Sequence, residues 1–142
     1  MPYITIARRE VVWNDPSQIE APGELNYVMT RYILENREKE SYTYYNDMIG
    51  TVASSLLALL LKFNVSDDEH ARWFVKTTKM ADLNFKNVIG AYICVVLELY
   101  RRAVVPYEDD KIFENGDMEG FWQADEARRI SKAVDYYPDA GE

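Results

Sequence analysis

The sequence predicts an all-α fold of about five helices, and three observations predict it. Two long segments, residues 45–63 and 85–103, are apolar through several helical turns. Elsewhere apolar residues recur at three- and four-residue spacing, the period of a helix face. Prolines, acids and an Asn-Gly pair punctuate the chain where helices begin and end.

Taken in order, the first dozen residues, containing YITIARREVVW, are expected to form a short extended arm, either a strand or irregular. Asp15-Pro16 then offers an N-cap followed by proline at a first helical position, with a short turn of helix through Glu20. Pro22 opens a helix over about 22–38, with Leu25, Val28, Met29, Tyr32 and Ile33 on one face. The two long segments are read as central helices, apolar nearly all round and covered on several sides. Between them, Ser66 to Glu69 reads as a capping box opening a helix whose inward face is Ala71, Phe74, Val75 and Thr78. After Pro106 the chain turns polar, and Asn115-Gly116-Asp117 is a turn signal. A last amphipathic helix is expected from about Ala124 to Tyr136, with Ala127, Ile130 and Val134 on one side and Pro138 ending it. This makes residues 1–142 one helical domain, with a core over 1–117 and a C-terminal arm over 118–142.

The two central segments align without a gap at an offset of forty residues: Ile49-Gly50 with Ile89-Gly90, Leu57 and Leu59 with Leu97 and Leu99, Lys62 with Arg102. An internal duplication and the shared composition of two buried helices both account for this. Glycine inside a helix costs about 1 kcal/mol against alanine, so Gly50 and Gly90 are expected where the two helices approach closely.

Composition excludes several functions. Hydrophobic residues make up 48% and charged residues 28%, the balance of a folded globular chain. A net charge of −8 and a pI of about 4.7 oppose binding to bulk nucleic acid or an anionic membrane, though not to a small phosphate ligand. The longest uncharged run, Met48 to Leu61, is shorter than the roughly 20 residues a bilayer requires. The N-terminus lacks the apolar region of a secretion signal, and a lone cysteine, Cys94, forms no intramolecular disulfide, which suits a reducing cytoplasm.

Catalytic chemistry is also poorly served. One histidine, His70, and one cysteine do not make a structural zinc site. Glu108, Asp109, Asp110, Glu114 and Asp117 lack the spacing of a calcium loop and read as a solvated acidic loop. Phosphate-binding glycine loops are absent. Cys94 on an apolar stretch and His70 in a capped surface helix are not activated as nucleophile and base. The chain is therefore expected to be no enzyme, with no cofactor and no metal.

Binding chemistry fits better. Tyr27 and Arg31 lie one helical turn apart, with Asn26 alongside. An aromatic ring and a guanidinium on one face suit a base and a phosphate. Arg101 and Arg102, flanked by Tyr100 and Tyr107, form a second such cluster; its alternative reading is a helix end in which Arg101 pairs with Glu98 or Glu108. Eleven tyrosines and three tryptophans suit an interface, hence a homo-oligomer or a protein partner.

GELNYVMTRYIL, YNDMIG and LELYRRAVVPYEDDKIFENGD together resemble a family of small uncharacterised bacteriophage proteins. The family pattern runs from a GELNY-x-x-TR segment into an N-x-x-x-G helix and then ELYRR-x-x-x-PYE-D-x-KI-x-ENGD; Gly23–Arg31 and Asn87–Asp117 match it. In shorter members the glycine-bearing helix occurs once, whereas here it occurs near 46–50 and again near 87–90, so residues 51–86 look like an insertion or a local duplication. The resemblance supplies the context of a phage accessory protein in the host cytoplasm, and together with the arginine-tyrosine clusters it leads to the expectation of a protein that works by sequestration. Its most concrete form is an anti-defence sponge for a nucleotide-derived immune signal, with Tyr27, Arg31, Arg101, Arg102 and Tyr107 at the pocket. The alternative is an acidic protein inhibitor that docks on a host enzyme or defence protein.

Overall fold

A computed structural model describes residues 3–37 and 42–120. Among them the secondary structure is helical, as the sequence predicts. The helices are α1 (Ile6–Asn14), a 3-10 turn (Pro16–Gln18), α2 (Pro22–Glu35), α3 (Tyr42–Leu61), α4 (Glu69–Ala81), α5 (Phe85–Leu99), a π-helical turn (Tyr100–Val104) and α6 (Val105–Asn115). With α5, the π turn and α6 following one another without an intervening loop, the α-helical segments number five. The chain divides into two units, Met1–Pro106 and Tyr107–Glu142. The amphipathic helix expected at 124–136 lies outside the described residues.

In the first unit, α2 packs on α5, α5 on α3, α3 on α4, and α2 meets α4, which closes a ring of four helices. Its core is filled by Leu25, Val28, Met29 and Ile33 of α2, Met48 and Val52 of α3, Phe74 of α4, and Val88, Tyr92 and Val95 of α5. Helix α1 lies on α2 and contributes the buried Val12.

The extended arm expected at the N-terminus is a correction. From Ile6 onward the backbone is α-helical, begun by the Thr5 carbonyl, which accepts from the Arg8 and Arg9 amides at 3.1 and 3.3 Å. Tertiary anchors outweigh the β-branched residues here. Arg8 Nε donates to Glu24 Oε2 at 2.6 Å, and its Nη2 donates to the Gln18 carbonyl at 2.7 Å. Glu24, nearly buried in the first turn of α2, also accepts from the Glu20 amide at 2.8 Å. One carboxylate thus joins α1, the loop after the 3-10 turn and α2. The 3-10 turn forms where the Asp15-Pro16 signal puts it, with Asp15 accepting from the Ser17 amide at 3.1 Å.

Four other details differ from the sequence reading. The N-cap of α4 is Asp68, which accepts from the Ala71 amide at 3.1 Å, two residues beyond the expected Ser66. The acidic stretch after Pro106 is the helix α6 and not a loop, since its helix-forming residues continue to Asn115. Gly116 ends it at φ +84°, with its amide on the Ile112 carbonyl at 2.8 Å; the Asn-Gly pair is a helix stop. Finally, α3 and α5 are apolar nearly all round without being enclosed: each packs on two neighbouring helices and leaves an outer side open, with Leu57, Leu60 and Leu61 exposed on α3 and Ile93 and Leu97 on α5. Gly50 and Gly90 do not mark an approach of these helices, because a Cβ on either would meet nothing within 4 Å. In a ring of four helices each helix has an outer side, and these residues occupy it.

The link between α2 and α4 is aromatic. The Tyr32 ring stacks on Trp73 at 3.8 Å between centroids and 14° between planes, and meets Phe74 edge-on at 5.4 Å. Its hydroxyl pairs with His70 Nδ1 at 2.8 Å, and Trp13 of α1 lies 6.3 Å from Trp73. Trp73→Ala removes the stacking partner and should cost about 3 kcal/mol. Tyr32→Phe keeps the ring and loses only the hydrogen bond to His70, and should cost about 1 kcal/mol. Urea unfolding followed by circular dichroism measures both, and the order of the two values is the expectation at stake.

Candidate functional site

The basic residues of the first unit differ in how far the fold neutralises them. Tyr27 and Arg31 are brought together on α2: Arg31 Nη1 donates to the Tyr27 hydroxyl at 3.2 Å. Arg31 is also engaged by two carboxylates, Glu10 at 2.7 Å and Glu35 at 2.9 Å, and lies over the Trp13 ring at 4.4 Å. These partners, Glu35 first, hold its guanidinium more firmly protonated than usual against the opposing effect of burial. One cation between two acids has no surplus charge for a phosphate, and an anion entering there would have to displace them. Asn26 is fully buried, apart from this cluster, with its Oδ1 accepting from Thr30 Oγ1 at 3.0 Å.

Arg101 and Arg102 lie in the π turn. Pro106 has no amide to give the Arg102 carbonyl, and its ring would crowd that carbonyl in an α-helix. The helix widens instead, with the Val105 amide bonding the Tyr100 carbonyl five residues back. Both arginines point outward and share one acid: Arg101 Nη2 donates to Glu98 at 2.9 and 3.1 Å, and Arg102 Nη1 lies 3.6 Å from the same carboxylate. The Tyr3 hydroxyl donates to Glu98 and accepts from Arg102 at 2.7 Å. Two cations on one carboxylate leave a surplus positive charge. The ion pair of Arg101 with Glu98 forms, but within a continuous helical run and not at the helix end the sequence suggests, and the cluster still has guanidinium donors exposed. Tyr107, in the second unit on α6, has Lys111 Nζ 5.5 Å from its ring centroid. No contact joins the Arg31 cluster to the Arg101–Arg102 cluster among the described residues; Tyr3, before α1, meets the second, and Glu10 and Trp13, within α1, meet the first.

A third basic group escaped the sequence reading. Arg72, Lys76 and Lys79 project from α4 at i, i+4 and i+7, all exposed, and no ion pair engages any of them among the described residues. With Val65, Ser66, Val75 and Met80 they line an open groove of about 600 Å³. The signal was present as R-x-x-x-K-x-x-K on a helix with Phe74 and Thr78 on its inner side. It was masked by SDDE just before it, which drew attention to the capping of the helix. The acids at its start serve the helix end: the Asp68 side chain is taken up by the Ala71 amide.

No group of three or more His, Cys, Asp or Glu is placed to hold a metal among the described residues. His70 is engaged with Tyr32, and Cys94 is half-buried and free. No described helix is long and apolar enough to cross a membrane.

The family model described as Domain of unknown function (DUF6899) matches residues 1–72 and 71–118. Each matched segment contains one of the two similar helices, α3 in the first and α5 in the second. No curated protein and no solved structure matches the chain.

Glu98 gives this region a pH dependence. Its carboxyl is held below the usual carboxylate range, chiefly by the Tyr3 hydroxyl and then by Arg101 and Arg102, against partial desolvation. A depressed folded-state pKa contributes stability above the unfolded-state value and loses it as pH falls through the folded one. Glu98→Gln should therefore lower the melting temperature at pH 7, and the gap from wild type should close as pH falls below about 4. Thermal melts from pH 7 to pH 3 check this; a gap that is constant across the range would contradict it.

Proposed function

The chain belongs to the DUF6899 family, and we propose that it is a non-enzymatic binding protein that sequesters a small anionic ligand, most concretely a nucleotide-derived signal. In this reading it is a phage accessory protein in the host cytoplasm that withdraws a defence signal from its receptor. One observation carries it: a chain of net charge −8 keeps three cations along one groove, none of them in an ion pair among the described residues. Like charges at i and i+4 are unfavourable on an isolated helix. Ion pairs with acidic neighbours relieve such a cost around Arg31, and none does so for these three among the described residues.

The groove has the two kinds of surface a nucleotide requires. Arg72 offers a planar fork for a phosphate, and Lys76 and Lys79 add mobile point charges. Val65, Val75 and Met80 offer apolar area to a base, and about 600 Å³ falls in the range of small-molecule sites. By the same measure of local charge, Arg101 and Arg102 rank second, with two cations on one acid, and Tyr27 with Arg31 third. A second reading rests on the overall charge of −8: direct docking on a basic surface of a host protein.

Isothermal titration with cyclic dinucleotides and cyclic ADP-ribose derivatives as probes tests the proposal. Arg72→Ala with Lys76→Ala should weaken the tightest of them at least about tenfold, or 1.4 kcal/mol, and leave the melting temperature nearly unchanged. Arg31→Ala should instead lower stability with little effect on affinity. Loss of binding only in Arg101→Ala with Arg102→Ala would move the site to the π turn. Absence of binding to every phosphate-bearing probe, together with capture of one host protein that salt releases, would favour the docking reading.

A further inference from the structure

The outward face of α3 carries Gly50, Ala53, Leu57 and Leu60 at i, i+3, i+7 and i+10, with Leu61 beside them. The leucines are 40–71% exposed, and a Cβ on Gly50 would meet nothing within 4 Å. The stripe is graded, with small residues in its N-terminal half and leucines in its C-terminal half. Its ends are charged and opposite: Asp47 lies one turn before Gly50 and Lys62 directly follows Leu61, both exposed and neither in an ion pair among the described residues.

We propose that a second copy of this chain packs on this face, α3 against α3, antiparallel about a two-fold axis. That operation reverses the stripe onto itself. Gly50 falls opposite Leu60 of the other copy and Ala53 opposite Leu57, so each small residue receives a large one, twice over by symmetry. Asp47 falls beside Lys62 of the other copy, also twice. Shape and charge are thus both self-complementary in the antiparallel sense, whereas a parallel pairing would set leucine on leucine and Asp47 on Asp47.

The equivalent stripe on α5 lacks this property and serves as an internal control. Gly90, Ile93 and Leu97 of α5 and Tyr100 of the π turn are at the same sequence spacing, but antiparallel pairing, while it sets Gly90 on Tyr100, would set Ile93 on Leu97, large on large, and bring Lys86 toward Arg101 and Arg102. Like charges at both ends of the contact oppose that dimer. The matched sequences of the two helices therefore predict different behaviour, and α3 is the dimer face. Three leucines and two small residues make a contact below the roughly 800 Å² per partner of a standard interface, so the association is of the weak, concentration-dependent kind. The ligand groove on α4 is not needed for it.

Sedimentation equilibrium of the full chain, from about 1 to 500 μM, tests the proposal. The mass should rise with concentration from 16.6 kDa toward twice that value. Leu57→Glu should hold it at the monomer with an unchanged circular dichroism spectrum, and Leu97→Glu should leave dimerisation intact. Asp47→Lys should weaken the dimer at least about tenfold, and Asp47→Lys with Lys62→Asp should restore it. A wild-type chain that is monomeric throughout would overturn the proposal, which would leave the face to another partner. So would a dimer that Leu97→Glu dissociates and Leu57→Glu does not, or a charge exchange that fails to rescue.

Discussion

The fold of the first unit hangs on the stack of Tyr32 on Trp73. Helices α2 and α5, α5 and α3, and α3 and α4 pack along their lengths, but α2 and α4 meet mainly through this aromatic contact, which closes the ring. A parallel stack at 3.8 Å, with Phe74 edge-on beneath it, concentrates in a few side chains the contact area that a helix interface usually spreads over many. The consequences run outward. Trp73 brings Trp13 with it, Trp13 carries Arg31 on its face, and Arg31 gathers Glu10 and Glu35. The seating of Trp13 at the end of α1, and through it the surroundings of one of the expected ligand-binding arginines, join this aromatic contact to the Arg8–Glu24 anchor of the same helix.

Charge is distributed in an ordered way around this frame. Glu24 and Arg8 form a part-buried junction in which one carboxylate accepts from the guanidinium and from the Glu20 amide, and the Glu24 carboxyl is held below its ordinary range first by Arg8. Arg31 has more acid than it needs, Arg101 and Arg102 have less, and Arg72, Lys76 and Lys79 are in no ion pair among the described residues. In an acidic chain, partners for a cation are plentiful, so cations left without them identify a surface where structure does not account for the charge. Exposed lysines are common on protein surfaces, and what singles out this trio is its coincidence with a groove that also has an apolar wall.

The two similar helices show how one sequence pattern can serve two environments. Their burial runs nearly in parallel: Met48 and Val88, Val52 and Tyr92, Ser55 and Val95 are buried, while Gly50 and Gly90, Ala53 and Ile93, Leu57 and Leu97 are exposed. The identities at the glycine and the first leucine thus lie on the outside, where packing within one chain demands neither. The helices also end differently. α3 stops at Leu61 with Lys62 at φ +55°, while α5 runs through the π turn that Pro106 imposes and on into α6.

The sequence by itself determined the helical class, most helix starts and most of the inward faces (Val75, expected inward on α4, lines the groove instead), because these depend on local spacing: the i, i+3, i+4 pattern of Leu25 to Ile33, the Asp15-Pro16 start and the glycine after Asn115 act within a turn or two of the chain. Only the tertiary structure decided which charges are spent. Whether Arg31 is a ligand for phosphate or a clasp for Glu10 depends on a residue twenty-one positions away, and Glu98 is set by Tyr3 from the far end of the unit. The helix at Ile6–Asn14 escaped detection for the same reason, since its anchors are Glu24 and the Gln18 carbonyl. Hydrophobic periodicity shows a helix which side is apolar, but not how many neighbours will cover it. That is why α3 and α5 read as enclosed, and why their outer stripes became visible only once the ring of four was assembled.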